Sequence, residues 1–249
     1  MALPEIVPEQ EWLVARKALL AQEKELTRRR DALNADRRRL PMVRVTKPYV
    51  FTGPAGEVGL LDLFGGRRQL VIQHVMFGPD WDEPCPGCAA GLDECSAGLR
   101  THLAARQTTF AAVARAPWPR ISQMLRRRGW AMDFYSSYGS DFNYDYHVTL
   151  DPSVAPVLFN YRNADELRAT GLGWAADGPG EQPGVSCFLR DGDAVFHTYS
   201  TFGRGTEGIG DAYGLLDLTA LGRQEAWEEP KDRVERPHGA MPSFAGGDS

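Results

Sequence analysis

Asp80-Trp81-Asp82-Glu83-Pro84-Cys85-Pro86-Gly87-Cys88 decides the reading of this chain. Before it runs Gln69 to Phe77, an apolar segment with the length and β-branched content of a buried strand. After it, Ala89 to Ala105 places Leu92, Leu99 and Leu103 roughly on one helical face. The Cys-x-x-Cys therefore falls at a strand-to-helix junction, with Cys85 near the helix N-terminus. There the macrodipole and the unpaired N–H groups stabilise a thiolate and lower the thiol pKa. A dithiol at this spacing closes a small disulfide ring, so Cys85 is expected to attack and Cys88 to resolve. Asp80, Asp82 and Glu83 act in the opposite sense, because close carboxylates raise a thiol pKa. The bland alternative is two ordinary buried cysteines.

The rest of the composition sets limits. A chain of 249 residues is long for one domain and short for two, so one core with elaborations is expected. Apolar content of 43% and charged content of 24% describe an ordinary soluble globular protein. The formal charge of -5 gives no electrostatic case for nucleic acid or a membrane surface. The arginine runs 28–30, 37–39 and 126–128 read as solvated helix faces. Met1 to Glu5 lacks a basic and apolar leader, and no apolar run reaches the roughly 18 residues of a membrane span. Four cysteines make no disulfide framework, so a reducing cytoplasm is the expected compartment.

Outward from the cysteines, the chain divides into a helical arm (1–41), a main domain (42–228) and a flexible tail (229–249). In the arm, Trp12, Leu19, Leu26, Leu33 and Leu40 recur every seven residues. That narrow apolar row needs a partner surface, either the protein's own domain or a homodimer mate. Past the cysteines, Thr108 to Ala114 reads as a strand and Pro117 to Arg128 as an amphipathic helix stopped by Gly129. The aromatic stretch Ser136 to His147 either folds onto the core or lines a ligand site. In the second case Phe142 and Tyr144 would roof the cysteine pocket. Val185 to Arg190 and Ala194 to Ser200 are joined by Asp191-Gly192-Asp193, a hairpin signal, and Asp211 to Leu221 reads as a last helix. Gly203-Arg204-Gly205-Thr206-Glu207-Gly208 matches G-x-G-x-x-G, but no further strand follows to complete a dinucleotide unit. Cys95 and Cys187 read as core filler.

This order of elements is an α/β arrangement that resembles the thioredoxin-like fold. It is a mixed sheet flanked by helices, with a long N-terminal helix and an insertion at about 129–182 before the C-terminal ββα unit. Trp81 resembles the aromatic that thioredoxins place ahead of their redox pair. Thioredoxins also set a cis-proline before the hairpin, facing the cysteines. Pro183 lies near that place, and aligning the hairpin turns puts Gly184 there. More specifically, three segments resemble the bacterial family catalogued as domain of unknown function 899. They are Phe77 to Cys88, Ser140-Asp141-Phe142-Asn143-Tyr144-Asp145 and Val195-Phe196-His197-Thr198-Tyr199-Ser200.

The resemblance implies a thiol–disulfide oxidoreductase or thiol-dependent reductase with no cofactor. Its partners would be a small thiol, a peroxide or a protein disulfide. Catalysis would fall to Cys85 and Cys88, and substrate contact to Trp81, Pro183, Gly184, Phe142 and Tyr144. Copper-delivery members of the superfamily use two cysteines and a remote histidine. On that model Cys85, Cys88 and His197 would hold copper or zinc. A non-catalytic scaffold is the third reading.

Overall fold

The computed structural model describes residues 4–209, 215–221, 223–229, 231 and 234–237. Its central sheet has eight strands in the order β1-β12-β11-β4-β5-β6-β2-β3. In chain order these are β1 (Val43–Val45), β2 (Val50–Gly53), β3 (Gly56–Gly59), β4 (Gln69–His74), β5 (Thr108–Ala114), β6 (Phe134–Ser136), β11 (Gly184–Asp191) and β12 (Ala194–Phe202). β4 pairs parallel to β5 and antiparallel to β11, and β11 pairs antiparallel to β12. The run β12-β11-β4-β5 is the thioredoxin-like core expected from the sequence. Asp191 and Ala194 close its hairpin in register. β6 comes from the expected insertion but extends the main sheet, parallel to β5. The remaining strands are short pairs: β7 (Thr149–Leu150) with β10 (Gly180–Glu181), and β8 (Leu158–Phe159) with β9 (Arg162–Asn163).

The helices are α1 (Glu9–Arg37), α2 (Pro86–Asp93), α3 (Ala97–Ala104), α4 (Trp118–Arg128), α5 (Phe142–Asp145), α6 (Ala164–Ala169) and α7 (Gly173–Ala176). The single helix expected over Ala89 to Ala105 is two. Ser96 accepts a hydrogen bond from the Leu99 N–H and caps α3, the position where serine outcompetes helix continuation. The intervening turn drops Cys95 into the core. None of α1 is buried: Trp12, Leu19, Leu26 and Leu33 face solvent, as does Leu40 just beyond it. No described helix is long and apolar enough to cross a membrane. Of the expected last helix, 211–214 lie outside the described residues, 215–216 are helical and 217–221 form turns; the expected tail lies largely outside the described residues.

Strand alternation gives the sheet two distinct faces. On β5, Ala111 and Val113 join Phe51, Phe64, Leu70, Ile72 and Phe188 on one side. Phe110, Ala112 and Ala114 join Val75, Phe77, Cys88, Leu92, Ile121 and Met124 on the other. The cysteines thus belong to the second face.

The aromatic loop folds onto the first face, the core alternative of its two expected places, so Phe142 does not roof the cysteines. Phe142 is fully buried, its ring 5.1 Å from Tyr49, 4.8 Å from Phe51 and 4.5 Å from Tyr146. Its neighbour Tyr144 turns away under the Arg115 guanidinium, 4.9 Å from the ring centre. Apolar demand decides this placement: a Phe side chain recovers more free energy in a closed aromatic cluster than over a half-open pocket. Phe142→Ala should therefore lower the unfolding free energy by about 3–5 kcal/mol. Urea denaturation checks this, with the alkylation rate of Cys85 in the folded protein expected to stay unchanged.

Candidate active site

β4 leaves the ladder at His74, and the three residues that follow use their backbone groups to hold what comes next. Val75 donates its N–H to the Val113 carbonyl (2.8 Å), and the Phe77 carbonyl accepts from Ala116 (2.8 Å). The Met76 carbonyl accepts from the Cys85 N–H (2.8 Å), while the Met76 N–H points at the Cys88 sulfur (3.4 Å). Cys85 occupies the N-cap position of α2, with φ -50 and ψ 133. Pro86 follows at the first helical position, where a missing N–H costs nothing and its fixed φ suits the turn. The sequence thus builds a sharp strand-to-helix corner with one cysteine on each side of it.

Neither cysteine is in a disulfide, and the two thiols are unequal. Cys85 is half-buried and Cys88 is buried. A hydrogen bond from the Cys88 side chain, with help from the Cys88 and Gly87 backbone, lowers the Cys85 pKa to about 6 against the opposing effect of burial. The same hydrogen bond, together with burial, pushes Cys88 well above the ordinary thiol value. The pair is therefore poised with Cys85 as thiolate and Cys88 as its protonated donor.

The acidic residues ahead of the pair do not reverse this. Glu83 is ion-paired with Arg127 and, at 3.5 Å, with Arg128. Asp82 faces Arg120 at 3.7 Å, and Arg120 also donates to the Trp81 carbonyl at 2.7 Å. The basic side chains of α4 thus offset the loop's carboxylates and tie the loop down. The sequence reading took 126–128 for a solvated face and missed this role. The usable signal was the complementary charge of Asp82-Glu83 just before the cysteines.

The remaining expected site residues separate by face. Trp81 packs its indole over Gly78, where an added Cβ would lie 3.0 Å from Nε1, and stays 38% exposed. Gly184 pairs with His74, so alternation turns both toward the face opposite the cysteines. A Cβ on Gly184 would come within 2.9 Å of Phe202 and 3.1 Å of Val148, which explains the glycine sterically. Pro183 stands just before β11, outside the register with β4.

His197 is not brought to the cysteines. It lies on β12, two strands from β4, with Tyr146 5.3 Å and Phe188 5.5 Å from its ring on the opposite face. Among the described residues no group of three or more His, Cys, Asp or Glu side chains could hold a metal ion. The structure therefore does not bring Cys85, Cys88 and His197 together. Cys95 is buried in the cysteine-face core, and burial raises its thiol pKa, as it does for Cys187 on β11.

The reactivity of the pair gives a direct test. Alkylation by limiting iodoacetamide should label Cys85 first, with a rate that rises with pH through a midpoint near 6, since only the thiolate reacts. Below that midpoint the rate should fall about tenfold per pH unit. Cys88→Ala removes the main stabilising hydrogen bond and should move the midpoint upward. Equal labelling of all four cysteines would contradict the assignment.

Comparison with known proteins places the chain. A search of curated proteins returned no match. Among solved structures, a cysteine-to-serine mutant of Xylella fastidiosa PrxQ is similar at 10% identity and a TM-score of 0.43, over 68% of this chain and 91% of that one. The bacterioferritin comigratory protein of Xanthomonas campestris is similar at 12% identity and a TM-score of 0.38, over 64% and 85%. The fold assignment rests on the strand order rather than on these loose likenesses. A family model, bacterial protein of unknown function (DUF899), matches residues 1–239. The chain therefore belongs to the DUF899 family.

Proposed function

We propose that this protein is a thiol–disulfide oxidoreductase working through Cys85 and Cys88. The observation that carries the reading is the half-exposed, acidic Cys85 thiol at the start of α2, hydrogen-bonded to a buried, protonated Cys88. The Cys85 thiolate attacks one sulfur of a substrate disulfide. A mixed disulfide forms, and the leaving thiolate takes a proton from solvent. Cys88 then loses its proton and attacks the Cys85 sulfur, which releases the second substrate thiolate. Two electrons pass from the dithiol to the substrate, and the Cys85–Cys88 disulfide remains. A small thiol returns the pair to the reduced state by the same exchange run in reverse.

Reduction of insulin disulfides with dithiothreitol as the regenerating thiol tests this. Cys85→Ser should abolish the rate above background, while Cys88→Ser should accumulate mixed disulfides visible by non-reducing mass spectrometry. Full activity in Cys85→Ser would remove the dithiol mechanism. A protein inert toward disulfides but active toward alkyl hydroperoxides would move the substrate to the peroxide class while keeping the same attacking thiol.

The exposed row of α1 supports pairing with a second copy. At about 1.5 Å per residue the helix is about 43 Å long, and Trp12, Leu19, Leu26 and Leu33 line it without cover in the single chain. Deleting residues 1–40 should convert a dimer to a monomer in sedimentation and lower the melting temperature. Unchanged mass in both forms would leave α1 without this role.

A further inference from the structure

The face of the sheet away from the cysteines carries a second polar site. Between β1, β12 and the turn after α5 lies a pocket of about 340 Å³, whose walls include Tyr49, Tyr146, Tyr161, His147 and His197. That volume is at the low end of small-molecule sites. His197 reaches it because of an irregularity in the sheet. Cys187 pairs with Tyr199 and Phe188 with His197, which leaves Thr198 as an extra residue on β12. This bulge puts His197 and Ser200, three residues apart, on the same face.

The floor of the pocket is a hydrogen-bonded chain running inward. His197 Nε2 lies 2.7 Å from Ser200 Oγ, Ser200 Oγ lies 2.8 Å from Ser186 Oγ, and Ser186 Oγ lies 2.8 Å from His74 Nε2. His74 is buried and its Nδ1 has no partner. An unpaired buried N–H costs more than an unpaired lone pair, so Nε2–H of His74 donates and each hydroxyl passes the direction on. His197 Nε2 then accepts at the end of the chain. His147, in the pocket wall, holds the left-handed backbone region at φ 56, a conformation that a non-glycine residue adopts at a cost. Among the described residues its imidazole makes no side-chain hydrogen bond, although it is half-buried.

We propose that this pocket binds a small neutral aromatic alcohol of the phenol class, its ring against Tyr146 and Tyr161 and its hydroxyl at His147. The aromatic walls select a flat ring. The rim offers no excess positive charge to an anion. Lys47 is already shared between Asp141 (2.8 Å) and Asp145 (2.7 Å), and Tyr49 donates to Asp145 (2.7 Å); with Arg44, which also lines the pocket, the two cations and two carboxylates balance, so nothing offsets the desolvation of an anionic ligand. Lys47 also sits 5.7 Å from the centre of the Tyr49 ring and takes the place of a ligand cation there. Burial lowers the pKa of both His147 and His197, Asp145 opposing it at His147 and the Tyr199 backbone opposing it at His197. A neutral imidazole offers one donor and one acceptor, which matches a hydroxyl that both donates and accepts.

Calorimetric titration of the full chain with 4-methylphenol at neutral pH tests the site. Saturable one-to-one binding is expected, about tenfold weaker in His147→Ala and at least about tenfold weaker for 4-methylbenzoate on the unaltered chain. Cys85→Ser should bind 4-methylphenol as the unaltered chain does, so failure of the thiol mechanism leaves this test standing. Should His147→Ala fail to fold, the imidazole resonances of His147 and His197 in the unaltered chain provide the readout, and both should shift on addition of the phenol. No saturable binding, equal affinity for the benzoate, or unmoved imidazole resonances would overturn the proposal.

Discussion

The structure depends on how β4 ends. Once the ladder stops at His74, the backbone of Val75, Met76 and Phe77 is buried and must be satisfied elsewhere. Three separate segments answer: Val113 on β5, Cys85 at the start of α2, and Ala116 ahead of α4. Each of these hydrogen bonds costs little to form and much to leave unmade in a buried setting. The exit of the central strand therefore fixes the cysteine corner, the second parallel strand and the helix that neutralises Glu83. The cysteine pair is positioned by the backbone, through the Met76 carbonyl and N–H.

The same strand separates two chemistries. His74 points to one face and forms the inner end of the imidazole–serine chain, while the Met76 backbone two residues on holds the thiols at the other. Phe142, Tyr146 and Phe188 close the first face into an aromatic layer between the two. A sheet buried on both sides makes such a division natural, because consecutive residues of one strand serve opposite cores.

How much of this was legible in the sequence follows from the range of the interactions. The strand before the cysteines, the turn chemistry at Asp191-Gly192 and the corner at Pro86 are local, and they were readable as such. The break in the cysteine helix was local too, but Ser96 was outvoted by the leucine spacing on either side of it. Phe142 could not be placed because nothing in an aromatic, glycine-bearing loop says which face of a sheet it covers; the aromatic cluster that captures it draws on Tyr49 and Phe51, about ninety residues away in the chain. His197 turns to the face opposite the cysteines for a different reason. A one-residue bulge at Thr198 inverts the alternation, and the sequence of β12 carries no glycine or proline to announce it. The ion pairs from Arg127 and Arg128 to Glu83 are likewise long-range, and a run of arginines alone does not name its partners.

The asymmetry of the thiol pair would give the proposed exchange its direction. Helix α2 has only eight residues, and the largest stabilisation of the Cys85 thiolate comes from the Cys88 hydrogen bond rather than from the helix. That bond works in both directions: the negative charge on Cys85 is what keeps the proton on Cys88. When Cys85 enters a mixed disulfide its charge disappears, and with it both the acceptor and the repulsion that held Cys88 protonated. Only burial then still opposes ionisation of Cys88, while the Met76 N–H favours it. In the proposed exchange Cys88 is thus restrained until Cys85 has reacted and is released by that reaction. The order of the two steps is set by electrostatics within a single turn of helix.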